Sequence, residues 1–200
     1  MTCLKPIYLK SQNLWVPCNN CINCRITKSD EWSVRIQHEM IGKEACFITL
    51  TYGGENAPEQ LDKREFQLFW KRLRRKVDKR IKYFGCGEYG EENGRPHYHA
   101  IIIGWRPPFD DISSNHSSRI LESCWSFGFN YVGAAEPISI RYVTGYIRKK
   151  IYSNRYYKSI GVTPPFQIMS KSLGSNWIEE NYKNVIRKGV KVGGKPATVP

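Results

Sequence analysis

The chain has 200 residues and a mass of 23.3 kDa, the size of one domain or of one domain with an appendage. Its 31 Lys and Arg against 18 Asp and Glu leave a net charge of +13 and a pI near 9.5. This excludes an acidic binding protein and points to a polyanionic partner, nucleic acid or an anionic surface. Hydrophobic residues at 40% and aromatics at 13% suffice for a core and exclude wholesale disorder.

The first stretch, MTCLKPIYLKSQNLW, lacks the apolar region of a secretory leader. The longest apolar run, Ala100 to Trp105, falls far short of the roughly 20 residues of a spanning helix, so no membrane partner is expected. Seven cysteines read as reduced thiols or metal ligands in a cytoplasmic protein. Cys18, Cys21 and Cys24 form C-x2-C-x2-C, which suits a structural Zn2+ with Cys3 or another thiol as fourth ligand. Buried free cysteines at helical spacing would look the same. Cys46, Cys86 and Cys124 fall on core-facing positions and read as packing residues.

Asn20 to Met40 reads as a helix, with Trp32, Ile36 and Met40 on one face. Residues 1–45 are therefore expected to form a cysteine-rich segment and a helix packed on a core. CFITLTY, residues 46–52, is a β-branched strand ended by Gly53-Gly54. Asp62 opens a helix, with Glu65 as the return half of a capping box. Phe66, Phe69, Trp70, Leu73 and Val77 form its inward stripe. The cations around that stripe, among them Arg72 and Arg75, read equally as a solvated helix face or as DNA contacts. Lys82–Tyr89 and His97–Trp105 are strands flanking EENGRP, where Asn93-Gly94 signals a hairpin. Ser117–Trp125 reads as a short helix, Phe129–Ala134 as a strand, and Ile140–Ile151 as the last clear helix.

From 46 to 135 the order is β-α-β-β-α-β, a ferredoxin-like or RRM-like α+β unit with a central antiparallel sheet. Its first and third strands are central, its helices lie on one face, and the other face is expected to be free for a ligand. Beyond Tyr157 no firm structure is assigned. Residues 46–157 are read as the core with its tyrosine helix, and 158–200 as a basic extension.

Two of the four histidines stand as PHYH, so His97 and His99 share one face of a strand. Alone, such a pair reads as two half-buried surface histidines. A two-residue turn sets Glu88 opposite His99, and a four-residue loop sets it opposite His97; either puts a carboxylate beside the imidazoles. Two imidazoles and one carboxylate with open positions suit Mn2+, Mg2+ or Zn2+ as a Lewis acid. Glu92 shares that parity and is held as a reserve ligand. Downstream, in RYVTGYIRKK, Tyr142 and Tyr146 lie one turn apart and Lys149 follows on the same stripe. These tyrosines could pack with Val143 and Ile147. Yet Arg141, Arg148, Lys149 and Lys150 surround them, and a phenol near a metal in a basic groove suits attack on a phosphodiester. His38 and His116 read as surface residues.

GEYGEENGRPHYH, the preceding CFITLTY and the downstream YVTGYIRKK together resemble the motifs of HUH endonucleases. More narrowly the chain is similar to the replication initiators of microviruses, especially those of gokushovirus type; VPCNNCINCR and the MSKSLG segment add to the likeness. The resemblance implies that His97, His99 and Glu88 hold Mn2+ or Mg2+ on the scissile phosphate of single-stranded origin DNA. Tyr146 would attack, with Lys149 or Lys150 as electrostatic helper and Tyr142 as second nucleophile. The products would be a 5′-phosphotyrosine and a free 3′-OH, later rejoined, with host polymerase and helicase as partners in the bacterial cytoplasm. Gly145 stands where two-tyrosine initiators often carry Lys. The resemblance also implies chain beyond Pro200. A HUH transposase or relaxase, or a non-catalytic RRM-like single-strand binder, is the alternative.

Overall fold

The computed structural model describes all residues except 1, 55–56, 91–93, 150–153, 193–194 and 198–200. In chain order it contains β1 (Ile7–Leu9), β2 (Leu14–Val16), α1 (Ile22–Met40), β3 (Ala45–Thr51), α2 (Lys63–Val77), β4 (Lys82–Tyr89) and β5 (Pro96–Ile103). Then follow α3 (Arg119–Cys124), β6 (Asn130–Ala134), α4 (Pro137–Lys149), α5 (Asn154–Ser159), β7 (Phe166–Met169), α6 (Ser175–Lys188), β8 (Val190–Val192) and β9 (Lys195–Ala197). The central sheet has the order β6-β3-β5-β4-β7, all antiparallel. Its first four strands are the expected split unit, with β3 and β5 innermost. β7 extends it from a segment given no structure by sequence.

Alternation along the strands sends side chains to two different cores. One face carries Ile48, Leu50, Tyr98, Ala100 and Ile102 and is covered by α2 and α3 through Phe66, Phe69, Trp70, Leu73 and Leu121. Asp62 caps α2 by accepting from the backbone N–H of Arg64 and Glu65. The return half of the expected capping box is not made. Tyr98 supplies the acceptor instead, its hydroxyl 2.9 Å from the Asp62 N–H, while Glu65 turns to Arg72.

The opposite face is not free, contrary to the sequence expectation. Phe84, Cys86, Ile101 and Ile103 pack there against Ile36 of α1 and Ile140, Val143 and Tyr146 of α4. The apolar stripes of those two helices need a surface to cover, and the outer end of this sheet face provides it. Only the end carrying His97, His99 and Glu88 keeps access to solvent. Cys46, Cys86 and Cys124 are all buried, as expected of packing residues.

His38 also departs from expectation. It is buried and stacks on Trp177 of α6 with ring centroids 3.6 Å apart, and burial lowers its pKa below the ordinary histidine value. Its neighbour Glu39 ties three elements together. Its carboxylate accepts from Lys43, from Lys82 of β4 at 2.8 Å and from the Gly174 N–H at 2.8 Å. Burial opposes its ionisation, but these donors prevail and hold its pKa below the ordinary carboxyl value. Glu39→Ala is therefore expected to cost about 3–5 kcal/mol near neutral pH, since it strands the largely buried Lys82. A carboxyl with a depressed folded pKa stabilises fully above its unfolded value of about 4.3, and that contribution fades as pH falls through the folded pKa. Urea unfolding of both proteins near neutral and at strongly acid pH checks this; the gap narrows in acid.

The turn into β6 depends on one close approach. Thr51 N–H donates to Phe129 O and Gly53 N–H to Phe127 O, both at 2.9 Å. A Cβ on Gly128 between them would lie 2.2 Å from Gly53 N and 2.5 Å from Thr51 O. Because both obstacles are backbone, Gly128→Ala is expected to cost about 3 kcal/mol, measurable as a fall in the urea midpoint.

Candidate metal and tyrosine site

The β4–β5 hairpin pairs Glu88 with His97 and Cys86 with His99. This is the register of a four-residue loop, one of the two that the sequence left open. Gly94 N–H donates to Gly90 O and Gly90 N–H to Arg95 O, which closes the loop. Glu92 lies outside the described residues.

Glu88 Oε1 sits 2.8 Å from His97 Nε2 and 3.2 Å from His99 Nε2. The three donor atoms all lie within 4.8 Å of one another. Two further contacts orient the rings. His97 Nδ1 is 3.1 Å from Arg95 O, and His99 Nδ1 is 2.9 Å from Thr49 Oγ1. A backbone carbonyl only accepts, so the proton of a neutral His97 sits on Nδ1. Its Nε2 lone pair then faces a carboxylate oxygen at 2.8 Å. Two acceptors hold that separation only with a proton or a cation between them, so the residues fit a divalent metal. Burial works against the Glu88 charge, but hydrogen bonds and charge from His97 and His99 outweigh it and keep the carboxyl below its ordinary pKa.

α4 brings both tyrosines to this cluster. The Tyr142 hydroxyl is 3.4 Å from His99 Nε2. Tyr146 stacks on the His99 ring, with centroids 5.7 Å apart and planes 4° from parallel. Phe47 of β3 closes the box, 5.7 Å from His99 and 6.1 Å from Tyr142. The two phenols differ in surroundings: Tyr142 is 45% exposed and Tyr146 only 8%. Burial first, then a hydrogen bond with Tyr142 and the Glu88 charge, push the Tyr146 phenol well above its ordinary pKa. Thr49 and Phe47 escaped sequence reading. Strand alternation put them on one face of β3, but only the β3–β5 register sets Thr49 opposite His99.

The predicted cations are scattered. Arg141 is exposed on α4 beside Tyr142. Arg148 pairs with Asp30 of α1 at 2.8 Å. Arg72 and Arg75 lie on α2, across the sheet from the cluster, and Arg72 Nε donates to Cys124 O. Lys150 and the side chain of Lys149 lie outside the described residues. Cys3, Cys18, Cys21 and Cys24 form a second cluster at the start of α1.

A family model for the replication-associated protein ORF2 matches residues 45–151, the stretch that holds every residue of this site. The chain belongs to that family. Three viral members are similar to it. The replication-associated protein ORF2 of Spiroplasma virus 4 is 31% identical over 86% of this chain and 60% of its own length. The replication-associated protein ORF4 of Chlamydia phage 1 is 33% identical over 68% and 38%. The replication-associated protein VP4 of Bdellovibrio phage phiMH2K is 28% identical over 92% and 64%. The chain thus spans under two thirds of the length of each of these replication-associated relatives. No solved structure matches it. Among the described residues, no helix is long and apolar enough to cross a membrane.

Proposed function

We propose that this replication-associated protein initiates phage DNA replication by nicking single-stranded origin DNA with a tyrosine and later rejoining it. The observation that carries this reading is the Tyr142 hydroxyl 3.4 Å from an imidazole of the Glu88–His97–His99 cluster. The names of the three relatives support the replication role.

Glu88, His97 and His99 would hold Mn2+ or Mg2+, which supplies Lewis-acid polarisation of a phosphate oxygen. Arg95 O and Thr49 Oγ1 hold the two imidazoles in place for that task. The phenolic oxygen bonds to phosphorus and the bond from phosphorus to the 3′-oxygen breaks. The phenol loses its proton, and the 3′-oxygen gains one to leave as a 3′-OH. The bond energy stays in the phosphotyrosine, so rejoining needs no nucleotide cofactor. The 3′-OH would prime synthesis by a host polymerase.

Geometry supports Tyr142 for the first attack, an order opposite to the sequence ranking, because its oxygen is open to a substrate. Tyr146, kept protonated by burial, is placed to donate to Tyr142 and to make the second cut. Arg141, with Lys149 and Lys150, would screen the phosphate charge around the pair.

The test uses single-stranded DNA spanning the phage's own intergenic sequence, labelled at its 3′ end. With Mn2+ the label is expected to migrate with the protein through a denaturing gel, and chelation abolishes the product. Binding with no covalent product under any divalent ion would overturn the nicking reading and favour an RRM-like binding module.

A further inference from the structure

We propose that Cys3, Cys18, Cys21 and Cys24 bind a single structural Zn2+, and that the knuckle it locks walls a DNA groove beside Tyr146. The four thiols come from two places in the chain, one before the β1–β2 hairpin and three after it. Their sulfurs form a closed set. Cys3 Sγ lies 3.5 Å from Cys18 Sγ and 3.9 Å from Cys21 Sγ, and Cys24 Sγ lies 4.0 and 3.4 Å from the same two. All four fall within 4.8 Å of one another. A regular tetrahedron with Zn–S near 2.3 Å has sulfur–sulfur edges of about 3.8 Å. Each sulfur has two near neighbours at similar range, the pattern of a shared centre and not of two separate pairs. Four thiols without an oxygen donor select a soft metal, and zinc adds no redox chemistry.

The backbone also suits thiolates. Cys18 N–H points at Cys3 Sγ and Cys21 N–H at Cys18 Sγ, both at 3.3 Å. Cys21 is the N-cap of α1 and makes no side-chain cap bond, so the positive end of that 19-residue helix meets the sulfurs. The hairpin needs such a clasp. β1 and β2 have three residues each, and Ile7, Leu14 and Trp15 are exposed. A lone two-stranded hairpin is marginal in water.

The clasp is coupled to the tyrosine helix through α1. Ser33 Oγ lies 2.9 Å from Thr144 Oγ1, and Asp30 pairs with Arg148. An open groove runs between the knuckle residues Asn19 and Asn20 and the Tyr146–Ile147 turn, with Arg25, Lys28 and Lys63 in its walls. Arg25 Nε donates to Asn20 O at 2.8 Å, so the knuckle's shape sets where that cation stands. This groove role rests on the nicking reading; the zinc assignment does not.

Elemental analysis of the full chain, purified without chelator, is expected to find zinc at the level of a single site. Cys18→Ser with Cys21→Ser reduces it to background, while His97→Ala with His99→Ala retains it. Co2+ exchanged into the wild-type chain gives thiolate charge-transfer and tetrahedral visible bands, a readout that needs no variant to fold. Iron in place of zinc, zinc unchanged in the cysteine variant, or a metal-free chain whose four thiols titrate freely would each overturn the site. Zinc-stripped wild-type protein should bind a labelled single-stranded oligonucleotide several-fold more weakly. Unchanged affinity overturns the groove role alone, and a failure to form covalent product overturns the nicking reading without touching the zinc result.

Discussion

Tyr142→Phe combined with Tyr146→Phe is expected to lower covalent attachment of single-stranded DNA by about four orders of magnitude or more, the scale seen when a nucleophile is removed. Binding should persist, because phenylalanine keeps the ring packing against His99 and Phe47 that holds α4 on the sheet. The single variants separate the two phenols. Tyr142→Phe removes the exposed hydroxyl and is expected to abolish the first cut. Tyr146→Phe is expected to spare that cut and to impair rejoining, since the buried hydroxyl is the second nucleophile. Quantifying labelled adduct and rejoined strand on one gel reads both steps. Adduct that persists in the double variant would reject the tyrosine assignment altogether.

His99→Ala has the second large effect. It removes one donor of three and also the ring on which Tyr146 stacks. Losing even an orienting partner of a metal ligand typically costs about 10–100-fold in metal affinity, so loss of the ligand itself should exceed that. Mn2+ titrated by calorimetry, or followed as a rise in melting temperature, is expected to bind the wild type and not the variant. Thr49→Val, which removes only the hydroxyl behind His99 Nδ1, should fall between them. The pH dependence has a definite sign. Imidazoles bind metal as neutral ligands, and a free histidine titrates near a pKa of about 6.5. Glu88 is held ionised by its two neighbours well into acid. Mn2+ affinity is therefore expected to fall as pH drops through the histidine range, with the carboxylate still charged. Equal Mn2+ binding by His99→Ala and wild type would place the metal elsewhere.

Much of the site could be read from short stretches of chain. PHYH on a strand puts His97 and His99 on one side by alternation alone. Glu88 joins them because a hairpin with an even loop preserves parity whichever register it takes. The helix spacing of Tyr142 and Tyr146 needs no tertiary knowledge. What escaped was set by contacts between distant segments. Thr49 meets His99 only because β3 pairs with β5 in one register, across 50 residues of sequence. His38 looked like a surface residue because its apolar partner, Trp177, comes from a helix more than a hundred residues later.

Local pattern was enough for the β-α-β-β-α-β order, the metal-ligand trio, the tyrosine helix and the cysteine spacing, because each depends on short-range periodicity or on one tight turn. Packing settled which sheet face α1 and α4 cover, how far each phenol is exposed, and which cations stand away from the site. Arg72 and Arg75 carry the same charge as Arg141, yet the sheet lies between them and His99. Burial and long-range register are properties of the packed whole: they follow from which apolar faces must leave water together, and a periodic pattern names such a face without naming its partner.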